Sequence, residues 1–448
     1  AHAWHDSPPV VAFPELPAAR ADAPARIVLV TFDAWRYRST AFASPERVAQ
    51  TPHLAALGDE STVFDACRSP GDQTLVSLAS LLTGVYPPQI FSTPHNRWYS
   101  VREGSLPHLG SLLKGAGYGS TYHTAWVNPT YFGRGSDFDD GRTDPWRPQV
   151  QFNTEAFLPW RALLAWAPHV ISQRVNPWTL SSDAIYVTQL YVDSLTAPPR
   201  TASPRRFQWL HLPTPHVPYM KVPPALLGKR LNAAERQSIS AHEVVPGGGP
   251  AELEAAYEGY VRFADAELGR LVQQLKDAGA WDDTMLVVTA DHGEAHEGAP
   301  RLYHGFGEPV RDVVHVPLVI HFPGQRSGSR VRAPVSGIDL VPTLLDAVYG
   351  EVPTYLKGRS LMKGAHPPRR MVFSWCMPDP NQSAPQAAAI GGFDGRYEFV
   401  SPVLPAGPPR LYDTLGQPGL DVSAQQPELL RRFQAQMLND CPPRWPSP

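Results

Sequence analysis

No stretch of this chain is apolar for the ~18 residues that a membrane-spanning helix needs, so nothing in its 448 residues reads as a transmembrane segment. Cysteine is scarce, with Cys67, Cys376 and Cys441 the only three. They are too few for a disulfide scaffold and their spacing fits no zinc knuckle; one bridge plus a free thiol is the most they can form. Charge of one sign is lacking too. Lys and Arg total 39 against 42 Asp and Glu, a net charge of −3. That balance provides no polyanion-binding face and no indication of nucleic-acid binding. No internal repeat is present. The chain opens at Ala1 rather than Met, as a processed exported protein or the soluble part of a membrane-anchored one would. A periplasmic or extracellular location, with membrane proximity, is the matching expectation.

Proline and glycine are abundant by contrast, at 50 and 34. Clusters such as PPALLGKR and VVPGGGPAE read as long surface loops. A chain of this length accommodates one large core with a smaller appendage, or two domains. Residues 1–25 form an unpatterned, extended lead-in. RIVLVTF, residues 26–32, is the first strand, and Asp33 stands at its carboxyl end, as a ligand or as a helix N-cap. TPHLAALGDES reads as a helix and TVFDAC as a short strand. Thr74 to Leu82 reads as a second helix, closed by Gly84. Thr74 thus lies at or near a helix N-terminus, where unpaired N–H groups favour an anion. Its hydroxyl is a candidate nucleophile beside a cation, with a plain capping role as the alternative; Ser77 is an ordinary polar position.

His123 and Asn128 come near the end of a strand and are candidates for a polar pocket, or His123 for a structural role. Residues 145–205 form an apolar insertion with tryptophans at 146, 160, 166 and 178. A lid or a lipid-docking surface is one reading; core packing fits better, since few basic residues accompany it. RFQWLHL is a strand leading into Pro213-Thr214-Pro215-His216-Val217-Pro218-Tyr219, where prolines hold His216 on a stiff loop, with Lys221 close behind. Glu252 to Gly279 is the longest helix, carrying Tyr260, Ala264, Leu268, Leu271 and Leu275 on one stripe.

TMLVVTADHGE, residues 284–294, is the stretch around which the rest is arranged. A buried strand ends in Asp291-His292, and the carboxyl ends of strands are where α/β sheets bind ligands. A hard oxygen beside a borderline nitrogen suits zinc-type coordination. His296, His304 and His315 lie in the loop beyond. After residue 350 the pattern changes to a small antiparallel sheet and a closing helix, PELLRRFQAQML. Alternating strands and helices before that point predict an α/β fold with a mostly parallel sheet flanked by helices.

LVTFDAWR, TPHLAAL, SLASLLTGVYPP, LKGAGY, PTPHVPY, GRLVQQLKDAGAWDDTMLVVTADHGE, HVPLVIHFPG, GIDLVPTLLDAVYG, GRSL and RLYDT succeed one another from about residue 26 to 440. In this order the chain resembles the sulfatase-like branch of the alkaline phosphatase superfamily. The resemblance implies an alkaline-phosphatase-like sandwich. It also implies a catalytic domain over 26–350 and a C-terminal subdomain over 351–448. The family places a metal on the Asp after the first strand and on the Asp-His pair, here Asp33, Asp291 and His292. Its nucleophile lies ten residues before the Gly of the LLTG block, which is Thr74.

Sulfatases carry Cys or Ser there, in a C/S-x-P-x-R motif converted to formylglycine. Thr74-Leu75-Val76-Ser77-Leu78 has neither the Pro nor the Arg, and Thr cannot give formylglycine; Cys67, seven residues upstream, is no substitute. A Thr nucleophile instead resembles the phosphoethanolamine transferase, phosphodiesterase and phosphonate hydrolase members. His304 comes twelve residues after His292, as a further His does in the zinc-dependent phosphoethanolamine transferases, and His216 matches another. Two departures stand out: Ala34 and Thr214 replace acidic residues of the family. They argue against an all-oxygen calcium site and for a compact zinc site of Asp33, Thr74, Asp291 and His292, with manganese, magnesium or calcium as alternatives.

The implied chemistry is in-line attack by metal-bound Thr74 on phosphorus, giving a phospho-threonine. His216 and His304 would stabilise charge or protonate the leaving oxygen; a second cation held by His304 is the alternative. Lys221, His123 and Asn128 are weaker substrate-binding candidates. The expected substrate is a small-molecule or lipid-headgroup phosphate ester, with water or an alcohol as acceptor. Two other readings compete: a sulfuric ester hydrolase working without formylglycine, and an inactive binding protein on the same fold.

Overall fold

A computed structural model describes residues 14–92, 100–101, 106–124, 138–143, 177–196, 203–217, 219–241, 250–296, 303–305, 307–362, 367, 369–376, 388–416 and 419–440. Asn128, most of the 145–205 insertion and Cys441 lie outside these residues.

Eight strands build the main sheet: β1 Arg26–Asp33, β2 Thr62–Phe64, β3 Tyr118–Thr124, β4 Asp140–Thr143, β5 Arg205–Pro215, β6 Thr284–Ala290, β7 Leu318–His321 and β8 Ser329–Val331. Their spatial order is β8-β2-β7-β6-β1-β5-β3-β4. The run from β6 through β4 is parallel, while β7 is antiparallel to both neighbours. β1 and β6 read as continuous apolar runs because both faces are covered, and Ile27 to Val30 and Met285 to Val287 are fully buried. Each such aliphatic side chain contributes about 1.5–3 kcal/mol of burial free energy.

Two helical groups cover this sheet. α4 (Pro250–Asp277) packs against both α1 (Pro52–Gly58) and α3 (Pro177–Ser194); α2 (Thr74–Thr83) packs with α5 (Leu340–Tyr349). The α4 stripe expected from its spacing is buried from Tyr260 to Leu275. Gly84 ends α2 at φ 72°, a left-handed conformation that glycine adopts without a Cβ clash. β9 (Val372–Cys376), β10 (Ala388–Phe393), β11 (Tyr397–Leu404) and β12 (Arg410–Asp413) form a separate antiparallel sheet. The closing helix α6 (Pro427–Asp440) stacks Phe433 on Phe399 of β11 at 5.3 Å. The mixed α/β architecture and the small C-terminal sheet therefore match the sequence reading. Among the described residues, no helix is long and apolar enough to cross a membrane.

Register decides what meets at the carboxyl edge. β1 lies between β6 and β5 with Thr31 opposite both Thr289 and His211. Asp33 and Asp291 therefore emerge side by side. The pairing of β1 with β5 slips between Phe32 and Asp33, so that Asp33 faces Pro215. Such an irregularity bends the strand and re-aims the next residue along, here His216.

Candidate active site

Asp33, Asp291 and His292 are completely buried. Ala34 adopts φ 66°, uncommon for a residue with a Cβ, and turns its N–H onto Asp291 Oδ1 at 3.1 Å. The His292 N–H donates to the same oxygen at 2.6 Å. His292 Nδ1 lies 2.8 Å from the Gly293 carbonyl, which assigns its proton to Nδ1 and leaves a lone pair on Nε2. That Nε2 is 3.6 Å from Asp33 Oδ1, 3.6 Å from Asp291 Oδ2 and 3.2 Å from Thr74 Oγ1.

Thr74 is the first residue of α2, and Gln73 occupies the N-cap. The capping alternative for Thr74 is thus replaced by a hydroxyl aimed at His292. Ser77 is not an ordinary exposed polar position either. It is buried and pairs with Ser69 Oγ at 2.8 Å, while the Ser69 hydroxyl also binds the Asp291 carbonyl. This serine pair ties α2 to the loop carrying the Asp-His pair.

His304 and His216 close the other side. The His304 ring sits 4.2 Å from that of His292 and 5.0 Å from that of His216. Its Nδ1 is 2.7 Å from Glu294 Oε1. Glu294 Oε2 in turn accepts from the Tyr219 hydroxyl at 3.2 Å, and Tyr219 meets His296 Nε2 at 2.7 Å. His296 Nδ1 reaches Glu254 at 3.0 Å, and Glu254 pairs with buried Arg36. A hydrogen-bonded line thus runs from His304 to the rim of the protein.

Electrostatics divide the two aspartates. Burial opposes ionisation of Asp33, yet the imidazoles of His216, His211 and His292 hold it far below the usual carboxylate range. Burial and the neighbouring Asp33 charge push Asp291 well up. Burial, with His304 nearby, pushes His292 down to about 3, so its imidazole is neutral. Burial would lower His304 as well, but Glu294 and Asp33 raise it above the ordinary histidine value.

Two carboxylates, a neutral imidazole and a hydroxyl suit a divalent cation. Asp291 Oδ2 is buried without a hydrogen bond of normal geometry. The 3.6 Å separations around it are too long for hydrogen bonds. They suit donors sharing one ion with bonds of about 2.0–2.2 Å.

Other candidates fall elsewhere. His123 lies within β3 with its ring 5.4 Å from that of Tyr191. Lys221 is exposed on a two-residue strand paired with Ser240–Ala241. His315 stacks on Tyr37 at 4.2 Å and bonds the Asp65 carbonyl, a structural role. Two residues escaped the sequence reading. Glu294 belongs to the DHGE motif, and its spacing to His304 was there to be used. His211 is a lone histidine near the end of an apolar strand, and only the register with β1 shows what it faces.

The sulfatase family model matches residues 25–350. The chain belongs to the sulfatase family. Among curated relatives, it is 27% identical over 330 residues to the multifunctional alkaline phosphatase superfamily protein PehA of Trinickia caryophylli, covering 65% of this chain and 61% of that one. It is 23% identical over 366 residues to an ulvan-active sulfatase of Formosa agariphila, covering 75% and 64%. The chain therefore spans a little over three-fifths of the length of these relatives. Its fold is similar to that of the phosphonate monoester hydrolase from Silicibacter pomeroyi, with TM-score 0.66 at 22% identity over 93% of this chain and 96% of that one. The sandwich fold and membership of the alkaline phosphatase superfamily are thereby established.

Proposed function

We propose that this sulfatase-family member cleaves or transfers phosphate esters, of the phosphodiester or phosphonate monoester class, through a covalent phospho-threonine on Thr74. The carrying observation is the 3.2 Å approach of Thr74 Oγ1 to His292 Nε2 inside the carboxylate pair. Thr74 cannot become formylglycine, which favours phosphorus over sulfur. Asp33, Thr74, Asp291 and His292 would hold the cation, zinc in preference given the nitrogen donor. When bound, it lowers the hydroxyl's pKa and polarises a non-bridging oxygen of the substrate.

The chain's own groups do the rest. The N-terminus of α2, where Thr74 is the first residue, would favour developing negative charge there. Glu294 holds the Nδ1 proton of His304, so Nε2 of that ring faces the reaction side with His216. One of the two protonates the departing oxygen, and the same group then deprotonates the water or alcohol that attacks the phospho-threonine. Residues 26–350 would carry this chemistry, with 351–448 as a supporting subdomain. The enzyme would work outside the cytoplasm, on small-molecule or lipid-headgroup esters.

Nitrophenyl phosphate, phosphodiester, phosphonate and sulfate esters, each tested with added zinc or manganese, decide the class. Turnover of the phosphorus esters that vanishes in Thr74→Ala, together with phosphorylated Thr74 in a quenched digest, is the expected result. Turnover surviving Thr74→Ala removes the nucleophile assignment. Sulfate ester cleavage alone would establish the second reading, which the Formosa relative favours. Inactivity on every ester would point to a binding protein.

A further inference from the structure

His211 is completely buried on β5, and its Nε2 makes no hydrogen bond. That nitrogen lies 3.7 Å from Asp33 Oδ2, beyond hydrogen-bond range. The other ring nitrogen, Nδ1, is 3.0 Å from Thr31 Oγ1. Thr31 Oγ1 also receives the Trp209 indole N–H at 3.1 Å and lies 3.4 Å from the Leu210 carbonyl. A hydroxyl has one proton and two lone pairs. Donating to Leu210 while accepting from both Trp209 and His211 uses all three; in that arrangement the imidazole proton sits on Nδ1 and Nε2 is available to a cation. Nε2 then turns its lone pair toward the two carboxylates, with Asp33 Oδ2 at a separation that suits two donors sharing one ion. His292 is prepared in the same way, with Nδ1 given to the Gly293 carbonyl and Nε2 turned toward the carboxylates. Ligand atoms of Asp33, His211 and Asp291 all fall within 4.8 Å of one another.

We propose that His211 is a direct ligand of the cation, a second imidazole supplied by β5 beside His292. It makes up for Ala34, which occupies a position where the family carries an acidic ligand. The resulting set of two nitrogens with carboxylate and hydroxyl oxygens favours a borderline transition metal over calcium. This inference rests on the metal cage of the proposed function but not on its phosphoryl chemistry.

X-ray absorption at the zinc edge of the zinc-reconstituted full chain counts imidazoles by their outer-shell scattering. Two imidazoles are expected in the wild type, falling to one in His211→Ala and to one in His292→Ala. Zinc affinity from chelator competition should drop in both by more than the roughly 10–100-fold cost of losing an outer hydrogen-bond partner. His211→Gln, which keeps a polar group near the Nε2 position, serves as a second variant should alanine not fold. A single imidazole in the wild type that persists in either His211 variant overturns the proposal and leaves His211 orienting Asp33 from outside. Failure of the wild type to take up zinc at all would overturn the cage itself, a different result.

Discussion

The Thr74 hydroxyl lies 3.2 Å from Nε2 of His292, although 218 positions separate the two residues. Neither side chain reaches the other by local geometry. α2 brings the hydroxyl to its first turn, β6 brings the imidazole to its carboxyl end, and the Ser69–Ser77 pair holds the two elements together.

Removing charge from the carboxylate pair should stabilise the metal-free protein while destroying metal binding. Burial and Asp33 raise the Asp291 carboxyl well above its ordinary 3.8, so its cost to stability develops as pH rises from that ordinary value toward the elevated one and is complete above it. In Asp291→Asn the Ala34 and His292 N–H bonds keep an acceptor. At neutral pH the chelator-treated variant should unfold at higher urea, by about 1–3 kcal/mol. Zinc at 100 times its dissociation constant should stabilise the wild type by about 2.7 kcal/mol and the variant hardly at all.

Glu294→Gln tests whether the carboxylate sets the His304 tautomer. An amide can present its N–H to Nδ1 and so move the ring proton to Nε2. A fall in kcat of roughly 10²–10⁴ is expected with little change in KM. Equal losses in kcat and in thermal stability would instead mark Glu294 as structural.

Acid should loosen the line that runs from His304 to the rim. Burial opposes ionisation of Glu254, but His296, Arg36 and Arg38 prevail and push it down to about 2 from an ordinary 4.5. The stabilisation is complete above pH 4.5 and is lost as pH falls toward 2. With its side chain 22% exposed, solvent screening reduces it to about 1–2 kcal/mol. Urea unfolding against pH should show this loss in the wild type and a flatter profile in Glu254→Gln.

Gly293 is required by contact rather than by conformation. A Cβ there would lie 2.1 Å from the Asp312 carbonyl and 2.8 Å from Arg36 Cβ. Gly293→Ala should cost about 1–3 kcal/mol by overpacking and shift His292, whose Nδ1 bonds the Gly293 carbonyl. Wild-type zinc affinity in this variant would contradict that coupling.

Strand identity, the long amphipathic helix, the Gly84 stop and the change of pattern after residue 350 were all legible in the chain. Each rests on local periodicity or on one residue's backbone preference. Asp33 and the Asp291-His292 pair were legible for the same reason, since buried parallel strands announce their carboxyl ends. Thr74 needed the family spacing, because a helix-starting threonine alone reads equally well as a cap.

Sequence by itself determined that apolar strands end in carboxylate and imidazole, and that a threonine opens a helix. Tertiary structure alone decided which of sixteen histidines face those carboxylates. His123, one strand further out, packs on Tyr191, while His211 and Thr31 share a register that turns an imidazole toward Asp33. Periodicity says which side of a strand a residue occupies, but not which strand lies alongside or in what register. Those depend on long-range pairing, where a slip of one residue sends the side chain to the opposite face.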